Sequence, residues 1–416
     1  LIFFILTPQL ANAGAFKLIR VGRLQSKAVD SGDQGELAGE CTFDYYYFDG
    51  FRYNITQSEG MFLGTTNWKD ENGNIYPIKI CAASILACDE NIEIIPVPDS
   101  KGITVHRYMR YQPPTITVDG FRVDEPFPMT GDEVNPAKIL GTASIMVESQ
   151  VRTSMGISIQ MRVLAWDQMY HDDYVIRDWT FTNTGNVDLD DNIELPNQTI
   201  NDFYFMRIGR YGCSGIDGNW LSRYGEYPGD SLRIGYMYTH RTKASTYDNF
   251  GMKSSSYGFL NQPYYFGQAT LHADKSATDH SDDLAQPRMT STSDPNIAWA
   301  RQDGISNSAD GLVLLYRTMK EGYGHWNGQK YLVNTYPGFH TLRMDEQGAK
   351  DFRDLGWCPS SDPMQSWSCG PYTLAPGQSI RIVWATVGGS ISPQVAWREF
   401  KNWQNGTCRW PEWDNK

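Results

Sequence analysis

The chain has 416 residues, of which 40% are hydrophobic and 20% charged, so it can bury a core and is too apolar for a disordered polymer. A formal charge of −12, with no basic run anywhere, argues against nucleic acid as a partner. No apolar run after the first residues approaches the roughly 20 needed to span a bilayer.

The opening residues, apolar from Leu1 to Leu6 and followed by the small-x-small pattern of Ala11 and Ala13, read as the back half of a secretory signal peptide cut after Ala13. The mature protein is therefore expected outside the cytoplasm, secreted or at the cell surface. Residues 14–135 read as a β-rich region. Within it Met61 to Trp68 and Ile75 to Cys81 form a hairpin across the Asp70-to-Asn74 turn. Proline pairs near 96–98, 113–114 and 125–128 make the next stretch rich in loops.

Residues 136–391 read as the main β-sandwich. Ile139 to Val151 alternates, and Gly156 to Glu194 follows as two strands and a turn. In the first strand Ile157, Ile159, Met161, Val163 and Ala165 share a face. In the second, Val175, Trp179 and Phe181 share a face that Arg177 interrupts. Asp167 to Asp173 joins the two strands, and Asn183 to Asn186 ends the second, with side chains that tolerate positive φ. Phe203 to Ile208, Ser231 to Thr239 and Ser379 to Val387 read as further strands, and Leu312 to Arg317 as a short apolar run. Residues 241–310, rich in Ser, Asp, Gly and Asn, read as a long loop insertion. Over residues 392–416, Ser392 caps and Pro393 opens a short helix in which Ala396, Trp397, Phe400 and Trp403 recur at helical spacing. The expected fold is all-β: a large antiparallel β-sandwich with long loop insertions and one short C-terminal helix.

Seven cysteines suit an extracellular compartment, and their odd number leaves at least one thiol unpaired or paired in another chain. Cys81 with Cys88 and Cys358 with Cys369 are close enough in sequence to close small loops.

Three segments carry a resemblance: DDYVIRDWTFTNTG (172–185), SLRIGYMY (231–238) and LAPGQSIRIVWA (374–385). They resemble segments of large secreted proteins of marine and gut bacteria, many of which are exported with a C-terminal sorting domain. The similarity covers patches of residues 140–405. It implies β architecture and a secreted or surface location, without implying an activity.

Three groups of residues could carry function. Asp188, Asp190, Asn192 and Glu194 place oxygen donors at alternate positions, a pattern suited to calcium. Tyr170, His171 and Asp172 set a phenol, a base and an acid at a strand junction, the equipment of proton transfer in sugar cleavage. Trp220, Tyr224, Trp326 and Tyr331 crowd two Gly-rich segments and suit a carbohydrate or protein contact. The leading expectation is a structural, self-assembling or carbohydrate- or protein-binding role, with polysaccharide or further copies of the chain as partners. A polysaccharide lyase or glycoside hydrolase on the same scaffold is the alternative.

Overall fold

The structure, a computed structural model, describes residues 15–31, 41–43, 56–83, 93–122, 124, 126–211, 222–226, 233–239, 264–293, 309–321, 323–326, 329–332, 364–390 and 398. In chain order the first strands are β1 (Phe16–Ile19), β2 (Leu24–Val29), β3 (Cys41–Phe43), β4 (Thr56–Lys69), β5 (Ile75–Ala83), β6 (Ile94–Pro96), β7 (Val105–Met109), β8 (Thr117–Val118), β9 (Phe121–Arg122) and β10 (Asp132–Val134). The central strands are β11 (Ile145–Thr153), β12 (Ile157–Ala165), β13 (Tyr174–Asn183), β14 (Ile200–Tyr211), β15 (Ser222–Glu226) and β16 (Ile234–Thr239). There follow β17 (Tyr264–Ser276), β18 (Asp279–Asp282), β19 (Met289–Ser293), helix α1 (Ala309–Glu321), β20 (Tyr323–Trp326), β21 (Gln329–Leu332), β22 (Met364–Leu374) and β23 (Ser379–Ser390).

The molecule is an all-β sandwich. Its large sheet runs β10-β7-β11-β12-β13-β23-β17-β16-β15, with β6 and β18 attached to β11 and β17. Its small sheet runs β19-β22-β14-β4-β5. Pairing within both sheets is antiparallel, except where β10 joins β7. The expected hairpins β4–β5 and β12–β13 form in the register their alternation implies.

Period-two patterning explains the core. The inward residues of β12, β13 and β23 meet those of β14 and β22 in one apolar cluster. At its centre Phe205 lies 4.6 Å from Phe181 and 4.7 Å from Trp179 between ring centroids, and stacks on Trp384 at 5.2 Å. Arg177, which interrupts the apolar face of β13, is buried with its Nη2 donating to Ser26 Oγ at 3.1 Å. It therefore fastens β2 against the sandwich. Asn183 is also buried, and its amide donates to the carbonyls of Gln198 and Leu374, 2.8 Å each, linking the end of β13 to the end of β22.

The structure corrects four of these expectations. Residues 241–310 are no plain loop insertion, because β17 lies within them and runs between β16 and β23 in the large sheet. Its periodicity is hard to read because its buried positions include Gln268, Thr270 and Asp274, which are polar; Gln268, for one, is hydrogen-bonded to Thr386 at 3.0 Å. The apolar run at 312–317 belongs to helix α1: Leu312, Leu315, Tyr316 and Met319 fall on one helical face and pack on the outer side of the small sheet. The 135/136 boundary separates no sheets, since β4 and β5 enter the small sheet and β6, β7 and β10 the large one. Finally, Cys81 and Cys369 are free thiols, so neither closes a disulfide loop. Both are inward strand positions that fill the core, and burial pushes the Cys81 thiol up to about 11 and that of Cys369 further still. The C-terminal helix expected from Ser392 lies outside the described residues apart from Arg398, which is helical and exposed.

Candidate functional site

One rim of the large sheet gathers the exposed aromatic residues that strand register brings together. Met109 is level with Ile145, Ile145 with Ala165, and Ala165 with Val175. The loops leaving β7, entering β11 and joining β12 to β13 therefore emerge side by side. Hydrogen bonds lock them to one another. Arg110 donates through Nε to the Ala143 carbonyl and through Nη2 to that of Gly141, both at 2.9 Å. Trp166 Nε1 donates to Thr142 Oγ1 at 3.2 Å, and Ser144 Oγ donates to the Asp167 carboxylate.

On this base sit Tyr111, 68% exposed, and Tyr170, 80% exposed, with the half-buried Trp166 and Tyr174 between the loops. Trp166 and Tyr174 are in ring contact, centroids 5.4 Å apart. Met169 and Leu140 add exposed apolar surface. Tyr170 holds φ at 73°, the left-handed region that an aromatic residue rarely adopts. Burial, and next the charge of Asp173, raise the Tyr174 phenol above its ordinary value, so it stays protonated across the physiological range. The Asp173 carboxyl is raised as well, by burial first and then by Asp172 beside it.

The three residues expected to form a proton-transfer group are all on this rim, in a different arrangement. His171 Nδ1 is 2.8 Å from the phenol of Tyr174. His171 also closes a turn, its N–H donating to the Gln168 carbonyl at 2.9 Å. Asp172 uses its backbone: its carbonyl accepts from the N–H groups of Arg23 and Leu24 and holds the β1–β2 turn against the rim. Gly22 permits that approach, because a Cβ there would lie 2.6 Å from the Asp172 oxygen.

The oxygen-rich loop after β13 is compact. Carboxylate oxygens of Asp188, Asp190 and Glu194 lie within 4.8 Å of one another. Asn192 is held by its N–H and its side-chain amide on the Asp190 carboxylate. The carbonyls of the loop are already engaged: Arg152 Nη1 donates to those of Asp188 and Asp190, and the Asn186 amide to those of Asp190 and Asn192. The carboxylates fit a calcium ion in donor type, with few further protein oxygens to complete its shell.

Of the four aromatics expected at a binding surface, Tyr224 lies on β15, Trp326 on β20 and Tyr331 on β21, while Trp220 lies outside the described residues.

A further cluster went unread in the sequence. Asp274 on β17 is buried, and its carboxylate accepts from His272 Nε2 at 2.8 Å, His280 Nδ1 at 2.7 Å and the Arg381 N–H at 2.8 Å. Beyond His272 lies Asp282, which Arg233 grips with both terminal nitrogens at 2.8 and 3.1 Å. The available signal was the spacing: His272 and Asp274 share a strand face, and His280 returns across the two-residue turn between β17 and β18. It was hidden in a segment whose Ser and Asp content suggested a loop.

No helix among the described residues is long and apolar enough to cross a membrane. No family model and no curated protein matches the chain.

Proposed function

We propose that this chain is a secreted carbohydrate-binding β-sandwich protein that takes a glycan on the rim formed by the loops of β7, β11, β12 and β13. The observation that carries this reading is the grouping of Tyr111, Trp166, Tyr170 and Tyr174 on hydrogen-bonded neighbouring loops, two of them mostly exposed. Aromatic faces of this kind stack on the C–H faces of sugar rings, and the flanking His171 and Asp167 supply hydrogen-bonding groups. The leader-like opening and the resemblance to exported bacterial proteins support a location outside the cytoplasm.

Strand addition is disfavoured at two of the described edges: β10 is only three residues long, and β5 carries Pro77 and Lys79, residues that blunt an edge. The reading is tested by affinity electrophoresis of the full chain in gels loaded with marine polysaccharides. Retardation in at least one polysaccharide is expected, together with its loss in Tyr111→Ala. A chain that runs unretarded throughout the panel overturns the proposal.

The hydrogen bond between His171 and Tyr174 favours a second reading, eliminative sugar cleavage, with the imidazole as proton acceptor and the phenol as donor. Unsaturated sugar ends released by the wild type and absent from His171→Ala would replace binding by catalysis. Calcium is proposed as the ion for Asp188, Asp190 and Glu194, on the convergence of their carboxylates. A melting temperature indifferent to both chelator and millimolar calcium would withdraw it.

A further inference from the structure

The rim leaves the His272–Asp274–His280 cluster unused. It lies on the outer face of the large sheet, displaced from the rim along the strands: Arg381, whose N–H reaches Asp274, is level with Thr180, whereas the rim is level with Tyr174 and Val387.

The arrangement orients one imidazole. A carboxylate accepts, so the contact suits Nδ1 as the donor to Asp274, and in the neutral imidazole that tautomer carries its lone pair on Nε2. His280 is 61% exposed and Asp274 is 2% exposed, so a buried carboxylate orients an imidazole that faces solvent. Among the described residues Nε2 makes no hydrogen bond. Asp274 is itself held from three sides, by His272, by His280 and by the Arg381 backbone. Further along, Arg381 pairs in two-pronged fashion with Asp178 at 2.8 Å and keeps its position on the sheet face. This is the geometry in which a carboxylate fixes the tautomer of a general base.

We propose that His280 is a general base for ester hydrolysis, positioned by Asp274, and that its substrate class is carboxylic esters of alcohols such as the O-acyl groups of a polysaccharide. The polysaccharide part of that assignment rests on the glycan-binding reading of the rim; the ester chemistry does not. In the step, Nε2 takes a proton from water as the water oxygen bonds to the acyl carbon. The bond from acyl carbon to alkoxide oxygen then breaks, and Nε2–H returns the proton to the departing alkoxide. One water is consumed, and one acid and one alcohol are released.

The test uses the full chain with p-nitrophenyl acetate, a probe too small to need the rim, and with an O-acetylated xylan. The wild type is expected to hydrolyse the small ester at least tenfold faster than the same concentration of free imidazole. His280→Ala, at an exposed position, should fold normally and fall to the imidazole level or below, with partial recovery on adding imidazole. Asp274→Asn should lower kcat roughly a hundredfold with KM little changed, within the range that a correctly held general base supplies. A wild type no faster than imidazole, or a His280→Ala variant that keeps the wild-type rate, overturns the proposal. Hydrolysis of the small ester without binding of any polysaccharide would sink the rim reading and leave the dyad standing; glycan binding without hydrolysis would do the reverse.

Discussion

Tyr170 is held in a backbone conformation that costs a non-glycine residue roughly 1–2 kcal/mol. Its ring is mostly in water, so no burial in the folded chain offsets that cost. The substitution Tyr170→Gly separates stability from function. Glycine relieves the strain and loses some backbone entropy on folding, so the variant should unfold at the same temperature as the wild type or slightly above, a gain of at most about 1 kcal/mol. Retardation by the polysaccharide should fall at least tenfold. A variant that melts lower and binds as before would assign the ring a packing role. At this scale the sequence was informative about residue type and silent about partnership. His171 was legible as the base of the strand junction, but its phenol partner is Tyr174 and not Tyr170, because side chains of adjacent residues diverge whereas one three positions on can return beside the ring.

Helix α1 shows what one glycine does for an element. It lies on the outer face of the small sheet, where Leu315, Tyr316 and Met319 meet Phe62, Ile80, Tyr204 and Met206. Tyr316 also donates its hydroxyl to the Asp202 carbonyl at 2.8 Å. Directly beneath is Gly64 on β4: a Cβ there would come 2.8 Å from Met319 Sδ and 2.9 Å from Tyr316 Cδ2. The Met319 sulfur can swing aside, whereas the Tyr316 ring is held by its hydrogen bond. Gly64→Ala should therefore cost about 1–3 kcal/mol, the usual penalty for overpacking, read as a lower denaturant midpoint. Unchanged stability would mean that the helix sits less tightly than its contacts indicate. Neither the helix nor this contact is legible in the sequence. Its one apolar stripe is four residues wide and is preceded by polar sequence, and nothing local marks Gly64 as the floor of a helix. The strands β4, β5, β11, β12, β13 and β23 were legible because each keeps one buried face over several residues.

Across the whole molecule, stability concentrates where the two sheets meet. Phe205 touches Trp179, Phe181 and Trp384 and is fully buried. Phe205→Ala should cost about 3–5 kcal/mol in reversible denaturant unfolding, while the fraction still folded keeps its glycan retardation, because the rim lies at the sheet end. A loss below about 1 kcal/mol would show that the sheets can close over the gap. From the sequence alone came the all-β class, the strands with one apolar face, the turn at Asp70 to Asn74, the end of β13 at Asn183, and the aromatic wealth that fills the interior. These are properties of spacing along one chain, and a side-chain period of two declares them locally. Only the tertiary structure decided that β17 belongs in the large sheet, that Arg177 reaches Ser26, that Tyr111 and Tyr170 share a rim, and that His280 rests on Asp274. Each of these is a pairing between distant segments, set by strand register and by polar groups that satisfy one another across the sheet, and such partners leave no periodic trace in either segment by itself.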